Sequence, residues 1–153
     1  MALNELDQKF MERALELARS AAGAGEVPVG AVLVRKGVIL GEASNSQISM
    51  NDPTAHAEVL ALRAAGAAVG NYRLPDSVLY VSLEPCTMCC GALVHARVRE
   101  LVFAAREPRA GAVISARRSF EDPHLNHRVC WRELIDFAPL SGQLLRDFFK
   151  QRR

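Results

Sequence analysis

Two short segments carry residue types that can hold a metal ion and move a proton: His56-Ala57-Glu58 and Pro85-Cys86-Thr87-Met88-Cys89. Cys86 and Cys89 are three residues apart, so on a helix their sulfurs share one face. At a helix N-terminus the backbone dipole favours thiolate over thiol. Two thiolates and the neutral imidazole of His56 make three ligands for zinc, provided that the two helix starts face each other. A three-ligand set leaves the fourth position open for water, the arrangement of a catalytic site rather than a structural one. Two thiolates also cancel the charge of the dication, so this metal acidifies its water less than an all-histidine site would. A neighbouring base is then useful, and Glu58 is the candidate. In this reading it is not a ligand but accepts the water proton and passes it on to the substrate.

Each piece also has a plainer meaning. A lone C-x-x-C fits a structural zinc half-site or a redox pair, and a lone H-x-E carries almost no information. The conjunction carries the reading, because each motif opens a helix where a βα unit should end. Cys90, at i+4 from Cys86, can replace a ligand but reads as a buried small hydrophobe. Cys130 reads as structural, His95 as packing and Trp131 as core. His124 and His127 fall in an arginine-rich segment, where a surface or RNA-contact role is open.

The elements that must position these groups follow from periodicity. Leu6, Phe10, Ala14, Leu17 and Ala21 predict an opening helix, with Asn4 as its cap and Gly23 to Gly25 as its end. Pro28 to Val34 and Val38 to Asn45 read as a hairpin joined at Arg35-Lys36-Gly37. Asp52-Pro53-Thr54 signals a helix from about Ala55 to Val69, capped by Asp52 or Thr54 and stopped by Gly70. Val78 to Leu83 is a strand, a helix runs from near Pro85 to about Ala96, and Leu101 to Ala105 is a further strand. Arg106 to Arg128 reads as a loop with one short strand at Ala112-Val113-Ile114. Leu140 to Lys150 closes the chain as a helix. The order predicts an α/β fold, a mixed sheet covered by helices on both faces, in one domain over residues 1–153 without a linker.

Composition narrows the class. With 153 residues, half of them hydrophobic and 24% charged, the chain is expected to be globular. No stretch reaches the roughly 18 apolar residues of a membrane span, so no membrane association is expected. The opening residues carry charge where an export signal needs an apolar block, and the clustered thiols do not make a disulfide scaffold, so a cytoplasmic location is expected. The net charge of +2 hides a division: residues 1–96 hold seven bases and ten acids, residues 97–153 twelve and seven. Sixteen of the nineteen bases are arginines, the residue suited to planar phosphate contacts.

The His56-Ala57-Glu58 and Pro85-Cys86-x-x-Cys89 pair resembles the signature of the zinc-dependent cytidine/deoxycytidylate deaminase superfamily. Flanking blocks, Glu26 to Val34, Asp52 to Glu58, Asn71 to Leu74, Leu79 to Cys89, Asn126 to Val129, and Asp147-Phe148-Phe149 with Arg152-Arg153, make it most similar to the bacterial tRNA-specific adenosine deaminases. The resemblance implies a three-layer α/β/α sandwich with a five-stranded mixed sheet. It implies one Zn2+ per subunit on His56, Cys86 and Cys89, no organic cofactor, and a homodimer that takes a tRNA anticodon stem-loop. It also implies hydrolytic conversion of adenosine to inosine at the wobble position, hydroxide on the zinc attacking C6 while Glu58 shuttles protons. Asn45 would contact the flipped nucleotide, Val29 and the backbone of Ala57 would shape the base pocket, and Glu107 would be the acid that meets the substrate ribose; the base must be flipped, since C6 cannot be reached in a stack. Glu107 stands where the family usually has aspartate, and Glu121-Asp122 where it often has a histidine pair. Three rivals remain at this point: deamination of a free base or nucleoside, a thiol oxidoreductase, and a non-catalytic zinc-stabilised RNA-binding module.

Overall fold

The computed structural model describes residues 4–152; Arg153 lies outside them. Helix α1 spans Glu5–Gly23, and Asn4 caps it by accepting the Asp7 N–H at 2.8 Å. Strands β1 (Gly30–Arg35) and β2 (Val38–Ser44) form the hairpin, turning at Lys36 and Gly37, both with positive φ. A one-turn helix α2 (Gln47–Met50) leads into α3 (Ala57–Val69), which Gly70 ends in the left-handed conformation. Then follow β3 (Val78–Leu83), α4 (Thr87–His95), β4 (Glu100–Ala105), β5 (Cys130–Glu133) and α5 (Ala138–Gln151).

The sheet has the order β2-β1-β3-β4-β5, antiparallel from β2 through β3 and parallel from β3 through β5. Side chains alternate across it as the pleat requires. Val32, Val34, Tyr80, Val102 and Ala104 pack with Phe10, Met11, Ala14 and Leu15 of α1. Ala31, Leu33, Leu79, Val81, Leu101 and Phe103 pack on the other face with Ala61 and Leu62 of α3 and Leu93 of α4. This is the expected three-layer α/β/α sandwich on a five-stranded mixed sheet. Helix α3 lies tight on β2, because a Cβ at Gly41 would sit 2.5 Å from the Ala61 carbonyl oxygen. No described helix is long and apolar enough to cross a membrane.

Four expectations need correction. The α1 stripe is displaced by one residue at its start: Leu6 is 53% exposed, while Asp7 is buried. Asp7 accepts the Tyr80 hydroxyl at 2.7 Å and two Arg132 guanidinium bonds at 2.8 and 3.0 Å, tying α1 to β5. Neither Asp52 nor Thr54 caps α3. Asp52 spends its carboxylate on the N–H and hydroxyl of Thr54, and the helix opens two residues later with His56 at the cap. No strand forms at Ala112-Val113-Ile114; the fifth strand lies beyond the loop, at Cys130–Glu133. His95 and Cys130 do not pack inside but are exposed.

Candidate active site

Both motifs come together at one end of the sheet, as the N-termini of α3 and α4. His56 and Cys86 are the cap residues of those two helices, with extended backbone (ψ 149° and 177°). The His56 Nδ1 lies 3.6 Å from Cys86 Sγ and 3.5 Å from Cys89 Sγ. Ligands about 2.0 and 2.3 Å from a tetrahedral zinc stand about 3.6 Å apart, so this donor set fits that ion. All three donor atoms lie within 4.8 Å of one another, the one such cluster among the described residues. Cys90 is outside it, with its thiol against the Pro85 carbonyl at 3.9 Å and 1% of its surface exposed. The two neighbouring thiols divide: interaction with Cys89 lowers Cys86 to about 5, while interaction with Cys86 and burial push Cys89 up. A dication answers this conflict by favouring both thiolates.

A cavity of about 210 Å³ opens above the cluster, with Val29, Asn45, His56, Glu58, Cys86 and Glu107 in its lining. Glu58, on the first turn of α3, is 4% exposed, and burial raises its carboxyl above the ordinary carboxylate range. Asn45 is also buried, and its Oδ1 accepts the Ala57 N–H at 2.8 Å. That bond supplies the side-chain cap that His56 lacks. It also commits the Ala57 amide within the protein and leaves the Asn45 Nδ2 as the donor beside the cavity. Glu107 lines the cavity, yet its two carboxylate oxygens accept the N–H groups of Arg109 and Ala110 in its own loop.

Two further polar residues of the cavity were not singled out from sequence, Gln47 and Glu84. Glu84 is 3% exposed and accepts the backbone N–H groups of Glu107, Val113, Ile114 and Ser115 at 2.9–3.1 Å, with the Ser115 hydroxyl. Burial pushes its carboxyl up, but these donors outweigh burial and hold it below the usual range. An acid at the closed end of an apolar strand, Leu83-Glu84-Pro85, was the available signal. Glu26, also buried, accepts the Ile48 and Ser49 N–H groups at 3.0 and 2.8 Å and thereby holds α2 at the cavity rim.

A second, larger groove of about 1040 Å³ adjoins the cavity and shares Val27, Leu83 and Glu107 with it. Arg106, Arg109, Arg146, Lys150 and Arg152 line it, with the 49% exposed ring of Phe149. Glu133 holds Arg106 in a two-point pair at 2.7 and 2.9 Å, and Arg152 donates to the Gly25 carbonyl at 3.0 Å, closing α5 onto the lead-in to β1. His127 donates its Nε2–H to the Val98 carbonyl, 2.7 Å away, whereas His124 is exposed. Trp131 is half-buried and stacks on Phe103 at 5.8 Å.

A family model of the cytidine and deoxycytidylate deaminase zinc-binding region matches residues 4–105. The chain is 47% identical over 151 residues to the tRNA-specific adenosine deaminase of Haemophilus influenzae, covering 98% of this chain and 87% of that one. It superposes with a TM-score of 0.87 and 43% identity on a solved tRNA:A34 deaminase that edits A to I at the wobble position of tRNA, over 90% of this chain and 99% of that one. A guanine deaminase from Nitrosomonas europaea has a TM-score of 0.80 at 27% identity, over 97% of this chain and 86% of that one. With a helix-capping His and two Cys at zinc spacing, a buried Glu beside them and these relatives, the chain belongs to the tRNA-specific adenosine deaminases of the cytidine and deoxycytidylate deaminase superfamily.

Proposed function

We propose that this chain is a single-domain, cytoplasmic, zinc-dependent enzyme that hydrolyses adenosine to inosine at the wobble position of tRNA. His56, Cys86 and Cys89 would hold one zinc ion per subunit. When bound, that ion acts as a Lewis acid and activates water for attack at C6. Water and adenosine enter; inosine and ammonia leave.

The remaining work falls to protein side chains. Glu58 is buried two residues from His56, and burial makes its carboxyl a strong enough base to accept the water proton and a strong enough acid to pass it on. It delivers that proton to the ring nitrogen next to C6 and then assists the departing amine. Asn45, fixed by the Ala57 N–H, turns its Nδ2 to the base, and Val29 supplies an apolar wall for the ring. The small cavity takes one ring system, so the base must leave its loop stack to enter.

The observation that carries the RNA reading over a free-base reading is the groove beside the cavity. Five bases and an exposed phenylalanine there form a surface for a phosphate backbone and an unstacked base, neither of which a free guanine or cytosine offers. The homodimer is part of the same reading. The test is to incubate the protein with a tRNA anticodon stem-loop and, separately, with free adenosine, guanine and cytosine. Inosine from the stem-loop is expected. Turnover of free nucleoside or base alone would refute the tRNA reading.

A further inference from the structure

The segment from Arg106 to Arg118 has no helix or strand, yet part of it forms a wall of the cavity, through Glu107 and Ala110. Its backbone is gathered onto one carboxylate. Glu84 Oε2 accepts three consecutive N–H groups, Val113, Ile114 and Ser115 at 3.0, 2.9 and 3.0 Å, while Oε1 accepts Glu107 N–H at 3.1 Å and the Ser115 hydroxyl. Successive N–H groups turned toward one anion make a nest, here occupied by a side chain instead of a bound ion. The fit is tight, because a Cβ at Gly111 would collide with the Glu84 carboxyl carbon and the Glu107 carbonyl oxygen. The Ala112 N–H donates to the Pro85 carbonyl at 2.8 Å, which joins the same segment to the turn that carries Cys86.

A buried charge is costly unless donors answer it, and all five donors that answer Glu84 come from the 107–115 segment. We propose that Glu84 is a positioning residue for substrate: its carboxylate holds the 107–115 segment where that segment completes the base cavity. This rests on the deaminase reading above. The consequence is a specific kinetic signature. If the joint is weakened, the segment spends part of its time out of place, and apparent affinity falls by the fraction of molecules still competent. Once substrate is bound and the wall is in place, the metal ligands and Glu58 are unchanged, so the chemical step is unchanged.

The test compares wild type with Glu84→Gln, Gly111→Ala and the double variant, using holoenzyme and an anticodon stem-loop. Glu84→Gln presents an amide NH2 to the N–H donors, and Gly111→Ala pushes the same joint apart from the other side. Each is expected to raise KM about tenfold with kcat within about twofold. The double variant is expected to be little worse than either, since both break one joint. Zinc content stays at the wild-type level, and amide hydrogen exchange accelerates at Val113, Ile114 and Ser115. If Glu84→Gln fails to fold, Gly111→Ala and Ser115→Ala carry the same comparison. A fall in kcat matching a loss of folded protein with KM unchanged would assign Glu84 to stability alone and overturn the proposal. Unchanged exchange at the three amides would do so too. The exchange readout needs no substrate, so failure of this inference is distinguishable from a wild-type enzyme that leaves the stem-loop untouched.

Discussion

Residues 4–105 and residues 106–152 are built by different rules. In the first region His56, Glu58, Cys86 and Cys89 stand on the opening turns of α3 and α4, and those helices are locked to a sheet whose central strands are buried on both faces. In the second, the bases stand on a segment without regular structure and on α5, with Arg106, Arg109, Arg146, Lys150 and Arg152 open to one groove. Chemistry at one atom needs donors fixed to a fraction of an ångström, which regular elements supply. A phosphate backbone is held by charge at longer range, and side chains on loops and helix surfaces suffice. The family model likewise stops at residue 105, where the second region begins.

This contrast gives ordered expectations. The largest effect is at the metal ligands. Cys86→Ser or Cys89→Ser should lose stoichiometric zinc by mass spectrometry and lower the thermal midpoint by roughly 10 °C, because the ion joins two helix starts. A variant that keeps full zinc would remove that cysteine from the ligand set. Next, Glu58→Ala should retain zinc and stem-loop binding but lose turnover by about a thousandfold, as expected for a proton-transfer group. Turnover within a few-fold of wild type would remove Glu58 from the proton path.

Smaller effects probe the bond between the two regions. Asp7 and Arg132 cross the boundary at 2.8 Å, and Tyr80 donates to the same carboxylate. The Arg132 bonds hold the Asp7 carboxyl below its ordinary range despite burial. A depressed folded-state value means stability that is present above the unfolded carboxyl's titration, near pH 4, and lost as pH falls below it. Because Arg132 is partly open to solvent, Asp7→Asn should cost only about 2 kcal/mol at pH 7 and flatten the loss of stability in acid, read by urea melts at pH 7 and pH 3. An unchanged acid slope would place that linkage elsewhere. The smallest effects are single groove bases. Arg109→Ala, Arg146→Ala or Lys150→Ala should each weaken stem-loop binding a few-fold and reduce the salt slope by about one, with zinc untouched. If none of them alters the slope, RNA is held on another face.

What could be read from the sequence follows the same division. The β3 boundaries, the hairpin and the starts of α3 and α4 were legible to within two residues, because apolar runs and turn residues there act locally. The fifth strand was not, since Cys130-Trp131-Arg132-Glu133 is a half-exposed edge that alternates too briefly to stand out. Ala112-Val113-Ile114 read as a strand because it is apolar, but the Val113 and Ile114 amides go to Glu84, twenty-nine and thirty residues away. The one-turn α2 depends in the same way on Glu26. Where a distant carboxylate replaces a backbone ladder, local pattern carries no trace of it. The metal and proton-transfer candidates were legible as residue types; that His56 meets both sulfurs at 3.5–3.6 Å could come only from the fold.

The central claim is that one zinc ion on His56, Cys86 and Cys89 supports adenosine deamination inside an RNA loop. The direct measurement is to strip the metal, restore zinc in steps, and quantify bound zinc and wobble inosine from the anticodon stem-loop in the same samples. Inosine formation should rise in proportion to zinc and level off at one ion per chain. Full-rate inosine without zinc, or none at full zinc occupancy, would contradict the account.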